Sequence, residues 1–125
     1  MRFAEADDSS GHLVEGYGPE GILVGGRRFR SSLILAPDRI VEDWGPSSAA
    51  VLAREHLETL LALDPQLIVL GTGDTQVFPP PEVYFWVMER GVGIEVMDTG
   101  AACRTYNILM SEGRRVAAGL ILGLT

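Results

Sequence analysis

From Pro46 onward the chain alternates between helical and strand-like stretches, and this alternation constrains the fold more than any other feature. "GPSSAAVLAREHLETLLALDP" places Leu52, Leu57, Leu60 and Leu61 at helical spacing, with Ser47 and Ser48 as candidate caps and Asp64-Pro65 as the stop. "QLIVLG" is a continuous apolar run bounded by turns, as expected of a strand buried on both faces. "PPPEVYFWVMERG" reads as a short helix, with proline at its start, Glu82 in its first turn and Gly91 past its end. "VGIEVMD" repeats the buried-strand pattern, "TGAACRTYNILMSEG" is a third helix, and "RRVAAGLILG" a last strand. Strands separated by helices imply right-handed crossovers and a largely parallel sheet segment covered on both sides.

The segment before Pro46 differs. Between Gly11 and Trp44, short apolar stretches are punctuated by glycine, and Gly25-Gly26 in "LVGGRRF" is a two-residue hairpin signal. Three or four antiparallel strands are expected there. The polar residues 1–10 are expected to be a frayed end, leaving residues 11–125 as a single α/β domain. With 46% hydrophobic residues in a chain of 125, such a domain can bury a substantial core.

Composition narrows the function classes. The net charge of −7, spread along the chain, offers no footprint for nucleic acid or anionic lipid. All ten basic residues are arginine, which excludes Schiff-base chemistry on lysine and the lysine-dependent phosphate loop. A single cysteine forms no internal disulfide. "MRFAEADDSSG" carries no apolar signal region, and no apolar run approaches a membrane span. The expectations are a cytoplasmic location, no membrane insertion and no nucleic-acid partner.

If "LIVL" and "IEVM" are parallel strands, the loops after them, "GTGDTQ" and "DTGAA", leave the same edge of the sheet. Ligands of open α/β sheets bind at that carboxyl edge. Yet Gln76 stands where a dinucleotide fingerprint needs its third glycine, and Asp74 and Asp98 repel phosphate. The bland alternative is that Gly71 and Gly73 turn a corner while Asp98 or Thr99 caps the third helix. Any pocket here is expected to be modest and closed to nucleotides, and no cofactor is implied.

Cys103 falls in the first turn of that helix if Thr99 is the cap, beside Arg104. Helix dipole and cation both favour thiolate, so a mildly activated but structural thiol is expected. His12 and His56 are remote in sequence, leaving the cysteine without an evident base and the chain without a metal set. On a wheel of about 100° per residue, Ala101, Ala102, Thr105, Ile108 and Leu109 form the natural core face. Cys103, Tyr106, Asn107 and Met110 fall on the other side, to be covered by a second layer or by another protein. "VYFWVM" on the second helix is apolar all round, so Tyr84, Phe85 and Trp86, with Met110, are the candidate interface.

"LGTG", "FPPPE" and "GIEVMDTGAACRTYNILMSEGRRVAAGLIL", with "SLILAPDRIVEDW" before them, resemble the family of unknown function built on the Mth938-like fold. That resemblance implies one three-layered α/β domain with a mixed central sheet flanked by helices. It also implies no established catalytic activity and, from a mitochondrial member that assists assembly of respiratory complex I, a protein partner. The family's shared stretch maps onto Gly71, Thr72, Gly73, Asp98, Thr99, Cys103, Arg104, Tyr106 and Asn107. The function expected is therefore a noncatalytic interaction or assembly-factor-like domain, with a homo-oligomer as one form of it. The alternative is a small-molecule-binding protein or cysteine-dependent enzyme using the carboxyl edge.

Overall fold

The structure, a computed structural model, describes residues 12–122. The frayed end expected at residues 1–10 lies outside them. Among the described residues five strands, rather than three or four, precede the first helix: β1 (Val14–Gly18), β2 (Gly21–Val24), β3 (Arg27–Phe29), β4 (Leu33–Ala36) and β5 (Arg39–Val41). The alternating part follows as α1 (Arg54–Leu61), β6 (Leu67–Gly71), α2 (Pro81–Met88), β7 (Gly93–Met97), α3 (Thr99–Ser111) and β8 (Val116–Leu120).

The strands divide between two sheets. β1, β2 and β3 form an antiparallel meander, and Gly25 and Gly26 turn its second hairpin with φ of 58° and 79°. Two consecutive positive φ values are the condition of the tightest hairpin turn, which glycine meets without strain. The larger sheet has the order β5-β4-β8-β6-β7. β6 is parallel to both β7 and β8, while β4 runs antiparallel to β8 and to β5. It is thus a mixed sheet with a parallel centre.

Both its faces are buried. Ile34, Ile68, Leu70, Ala117 and Ile121 face one core with Leu57 and Leu60 of α1 and Val83, Trp86 and Val87 of α2. Leu33, Leu35, Val69, Ala118 and Leu120 face the other, shared with α3 and the small sheet. The alternation of successive residues between the two cores is the period-two rule of a strand. Helices on one side and α3 with the small sheet on the other make a single three-layered domain.

Two local expectations fail. Ser48 makes no capping hydrogen bond and precedes only a short 3-10 turn at Ala49–Val51. The chain is extended again at Leu52 and Ala53, and α1 starts at Arg54, where His56 Nδ1 accepts the Ala53 N–H at 3.0 Å. The wheel of α3 is also turned: Ile108 is 58% exposed, whereas Cys103, Tyr106 and Met110 are buried. Leu13, Val14, Ile22, Val24 and Phe29 pack on the side left for a second layer or another protein. The small sheet is the second layer that covers it.

Candidate functional site

The carboxyl ends of β6, β7 and β8 are tied to one another through a single hydroxyl. Thr99 Oγ1 accepts the Gly73 N–H at 2.8 Å and donates to the Ile121 carbonyl at 2.8 Å. Thr99 N–H returns a bond to the Gly73 carbonyl at 2.8 Å, and Ile121 N–H bonds the Gly71 carbonyl at 3.0 Å. Thr72 locks the loop beyond: its Oγ1 donates to the Thr75 carbonyl at 2.6 Å and accepts the Val77 N–H at 3.0 Å. Thr72 and Thr99 are wholly buried, and every polar group named here has a partner inside the protein.

Asp98 is the cap of α3, accepting the Ala101 N–H at 2.9 Å. Thr99 is therefore the first helical residue, and Cys103 sits beyond the first turn, where N–H groups are already paired along the helix. Its thiol is fully buried. Burial pushes the thiol pKa up to about 12; the Arg104 charge opposes this and Asp98 adds to it. The expected shift toward thiolate is thus reversed, because losing water outweighs a neighbouring cation. So held, the sulfur is a neutral thiol at neutral pH and is closed to solvent.

The rest of the motif is spent on packing. Gly71 lets α3 approach β6: a Cβ there would stand 2.9 Å from Thr99 Cα and 3.0 Å from Ala102 Cβ. Tyr106 donates its hydroxyl to the His12 carbonyl at 2.7 Å. Asn107 grips the backbone of β1 at both groups, donating from Nδ2 to the Val14 carbonyl at 2.8 Å and accepting the Val14 N–H on Oδ1 at 2.9 Å. A helix side chain thereby stands where no strand among the described residues pairs with β1 on that edge. Sequence spacing gave no sign of this clamp, since it joins residues far apart in the chain.

What remains open at the carboxyl edge is a cleft of about 420 Å³ between the β1–β2 turn and the β6 loop, lined by Tyr17, Glu20, Arg30, Gly73, Asp74 and Leu122. Tyr17 hydroxyl lies 3.4 Å from Asp74 Oδ1, and burial first, then the Asp74 carboxylate, raises its pKa. Of the expected site residues only Gly73 lines this cleft. Arg104 is exposed on α3.

The candidate interface splits in two. Trp86 is packed in the core of α1 and α2 with the Arg90 guanidinium 3.8 Å over its ring, and Met110 lies under the small sheet. Both are thereby removed from any outer surface. Tyr84 is half-buried, while Phe85 and Met88 are 58% and 48% exposed. The loop before α2 adds Phe78, 66% exposed, and Val77, 38% exposed. Sequence reading passed over the latter pair, although "VFPPP" sets two apolar residues ahead of the prolines that open α2, off that helix's buried face.

A family model described as a protein of unknown function (DUF498/DUF598) matches residues 14–121. The chain is 34% identical over 110 residues to the bovine "NADH dehydrogenase [ubiquinone] 1 alpha subcomplex assembly factor 3", covering 86% of this chain and 59% of that relative's length. A crystal structure of a Bordetella parapertussis protein superposes with a TM-score of 0.82 at 39% identity, over 88% of this chain and 94% of that one. A Bordetella pertussis solution structure, described as a Mth938-like domain, gives 0.81 at 29% identity over 97% and 92%. No helix among the described residues is long and apolar enough to cross a membrane. The chain belongs to the DUF498/DUF598 family of proteins of unknown function and carries its Mth938-like fold.

Proposed function

We propose that the chain is a noncatalytic interaction domain that works in the cytoplasm as an assembly factor, binding another protein through α2 and the loop before it. One contrast carries this reading. Thr99 and Asp98 of the motif at the carboxyl edge are spent on internal bonds, while Val77, Phe78, Phe85 and Met88 are left in water. Large apolar groups clustered on a short segment and its helix mark contact surfaces rather than ordinary solvent faces. The bovine relative's name supplies the class of role, an assembly factor for a NADH dehydrogenase, to a chain spanning 59% of that relative.

The test is capture of the tagged chain from its native cells after cross-linking, beside a Phe85→Ser/Met88→Ser variant. Recovery of a NADH:quinone oxidoreductase subunit with the parent and not with the variant is the expected result. Equal recovery with both, or none above an untagged control, overturns it. The cleft of about 420 Å³ keeps a second reading in view, a small polar ligand held by Arg30 and Asp74. Its sign would be saturable stabilisation by a metabolite, abolished by Arg30→Ala.

A further inference from the structure

Among the described residues, β7 is the end strand of the five-stranded sheet. Its inward groups are spent on β6: the parallel register runs from Leu67↔Gly93 to Gly71↔Met97, with Gly93 N–H bonded to the Gln66 carbonyl and the Met97 carbonyl taken by Thr72 N–H. In a parallel ladder, alternate residues bond to the same neighbour, so Gly93, Glu95 and Met97 bond toward β6 while Ile94 and Val96 present their backbone groups outward. Gln76 Nε2 confirms the direction by capping the Val96 carbonyl at 2.9 Å. The Ile94 N–H and carbonyl and the Val96 N–H face away from the sheet, on residues that are 7% and 9% exposed.

The other edges are treated differently. Asn107 occupies the outer side of β1. Arg27 of β3 is paired with Glu42 at 2.6 Å, just beyond β5. At β7 the surroundings are apolar and acidic. Gln76 leads directly into exposed Val77 and Phe78, and α2, which covers Ile94 and Val96, turns Phe85 and Met88 outward. Glu82 and Glu89 of α2 are exposed on that side and Glu95 of β7 on the opposite face, while Arg90 is engaged on the Trp86 ring and carbonyl.

We propose that β7 is a strand-addition site, taking an extended segment of another protein whose side chains alternate between apolar and basic. The inference rests on the interaction reading above and names its mode. Backbone groups of Ile94 and Val96 supply the ladder, as in other sheet-edge peptide complexes. Side chains of the incoming strand on one side run beside the exposed Val77-Phe78 segment that follows Gln76, and those on the other side meet Glu95. A second copy fits less well. Antiparallel pairing of β7 with itself about its central residue sets Glu95 opposite Glu95, and each chain carries −7.

Selection of a phage-displayed library of random dodecapeptides against the parent chain tests this. Enriched peptides are expected to alternate apolar residues with Lys or Arg. Their binding should slow amide exchange at Ile94 and Val96 and weaken about tenfold in Glu95→Arg, with Glu95→Gln intermediate. Peptides that enrich but protect other amides overturn strand addition at β7 while leaving the interaction reading intact. Failure of any peptide to enrich, or a concentration-dependent dimer whose formation protects those amides, also overturns it. The interaction reading itself is decided separately, by capture from native cells with the parent and the Phe85→Ser/Met88→Ser variant.

Discussion

Cys103 shows how one residue's surroundings can reverse a local inference. Sequence neighbours place a cation and a helix start beside it, both favouring thiolate. Tertiary packing removes its water, and the pKa rises to about 12. The folded value lies above the unfolded one, near 9.0, so the neutral thiol stabilises the fold fully below pH 9. That contribution declines between about pH 9 and pH 12, because only the unfolded chain can then ionise freely. Tyr106 is raised by burial as well, and acts in the same direction above its ordinary range. Denaturant titrations are expected to show stability falling from pH 9 upward, with a shallower fall in Cys103→Ala; an unchanged slope in that variant would rule out the thiol as a cause. Iodoacetamide should modify native Cys103 slowly at neutral pH and rapidly once the chain unfolds. Thr99 has the opposite character, a polar residue whose worth lies in being buried. Thr99→Val leaves the Gly73 N–H and the Ile121 carbonyl without this partner, at a cost of about 2–4 kcal/mol in chemical denaturation. Thr99→Ser keeps the hydroxyl and is expected to lose less than half as much.

At the scale of elements, what could be read from the sequence divides along a physical line. The strands "LIVL" and "IEVM", the helix after the proline run and the Gly25-Gly26 hairpin all stand where pattern and turn chemistry put them, because each signal is local. The phase of α3 was not legible. A wheel ranks faces by apolarity, but α3 lies between two sheets, and Ile108 is the residue left outside. The start of α1 was misread for a related reason. Trp44 donates its Nε1–H to the His56 carbonyl at 3.0 Å and lies so close to β8 that a Cβ on Gly119 would sit 2.6 Å from its ring. That packing, rather than the two serines, fixes where the helix begins. The carboxyl-edge glycines were read as a turn with a ligand as the alternative, whereas Gly71 owes its identity to helix approach. Gly71→Ala is accordingly expected to cost about 2 kcal/mol or more, since its neighbours are backbone and buried atoms with no room to yield. A thermal shift of a few degrees downward is the readout, and an unchanged melting temperature would mean that α3 can back away from β6.

The whole molecule is two sheets joined through one helix, and this arrangement makes a prediction about how it opens. α3 packs on β6 and β8 with one side and on β1 with another, and the small sheet's apolar residues share a core with Cys103, Tyr106 and Met110. The larger sheet has a second core beneath α1 and α2 to which β1–β3 contribute nothing. Its stability is therefore partly independent of the small sheet, the condition for a sub-global unfolding unit. What holds the small sheet in register is polar as well as apolar. Asn107 satisfies both backbone groups of Val14, and Tyr106 holds the carbonyl of His12. Asn107→Ala removes both bonds to Val14 and leaves a buried strand edge unpaired, a loss of roughly 1–3 kcal/mol. Native-state hydrogen exchange should then show the amides of β1, β2 and β3 exchanging about tenfold faster or more, as a group. Amides of β4, β6 and β8 should keep most of their protection, because the core under α1 and α2 is untouched. Loss of protection in both sheets together would mean that the molecule opens as one unit and that α3 transmits the damage across the sheet.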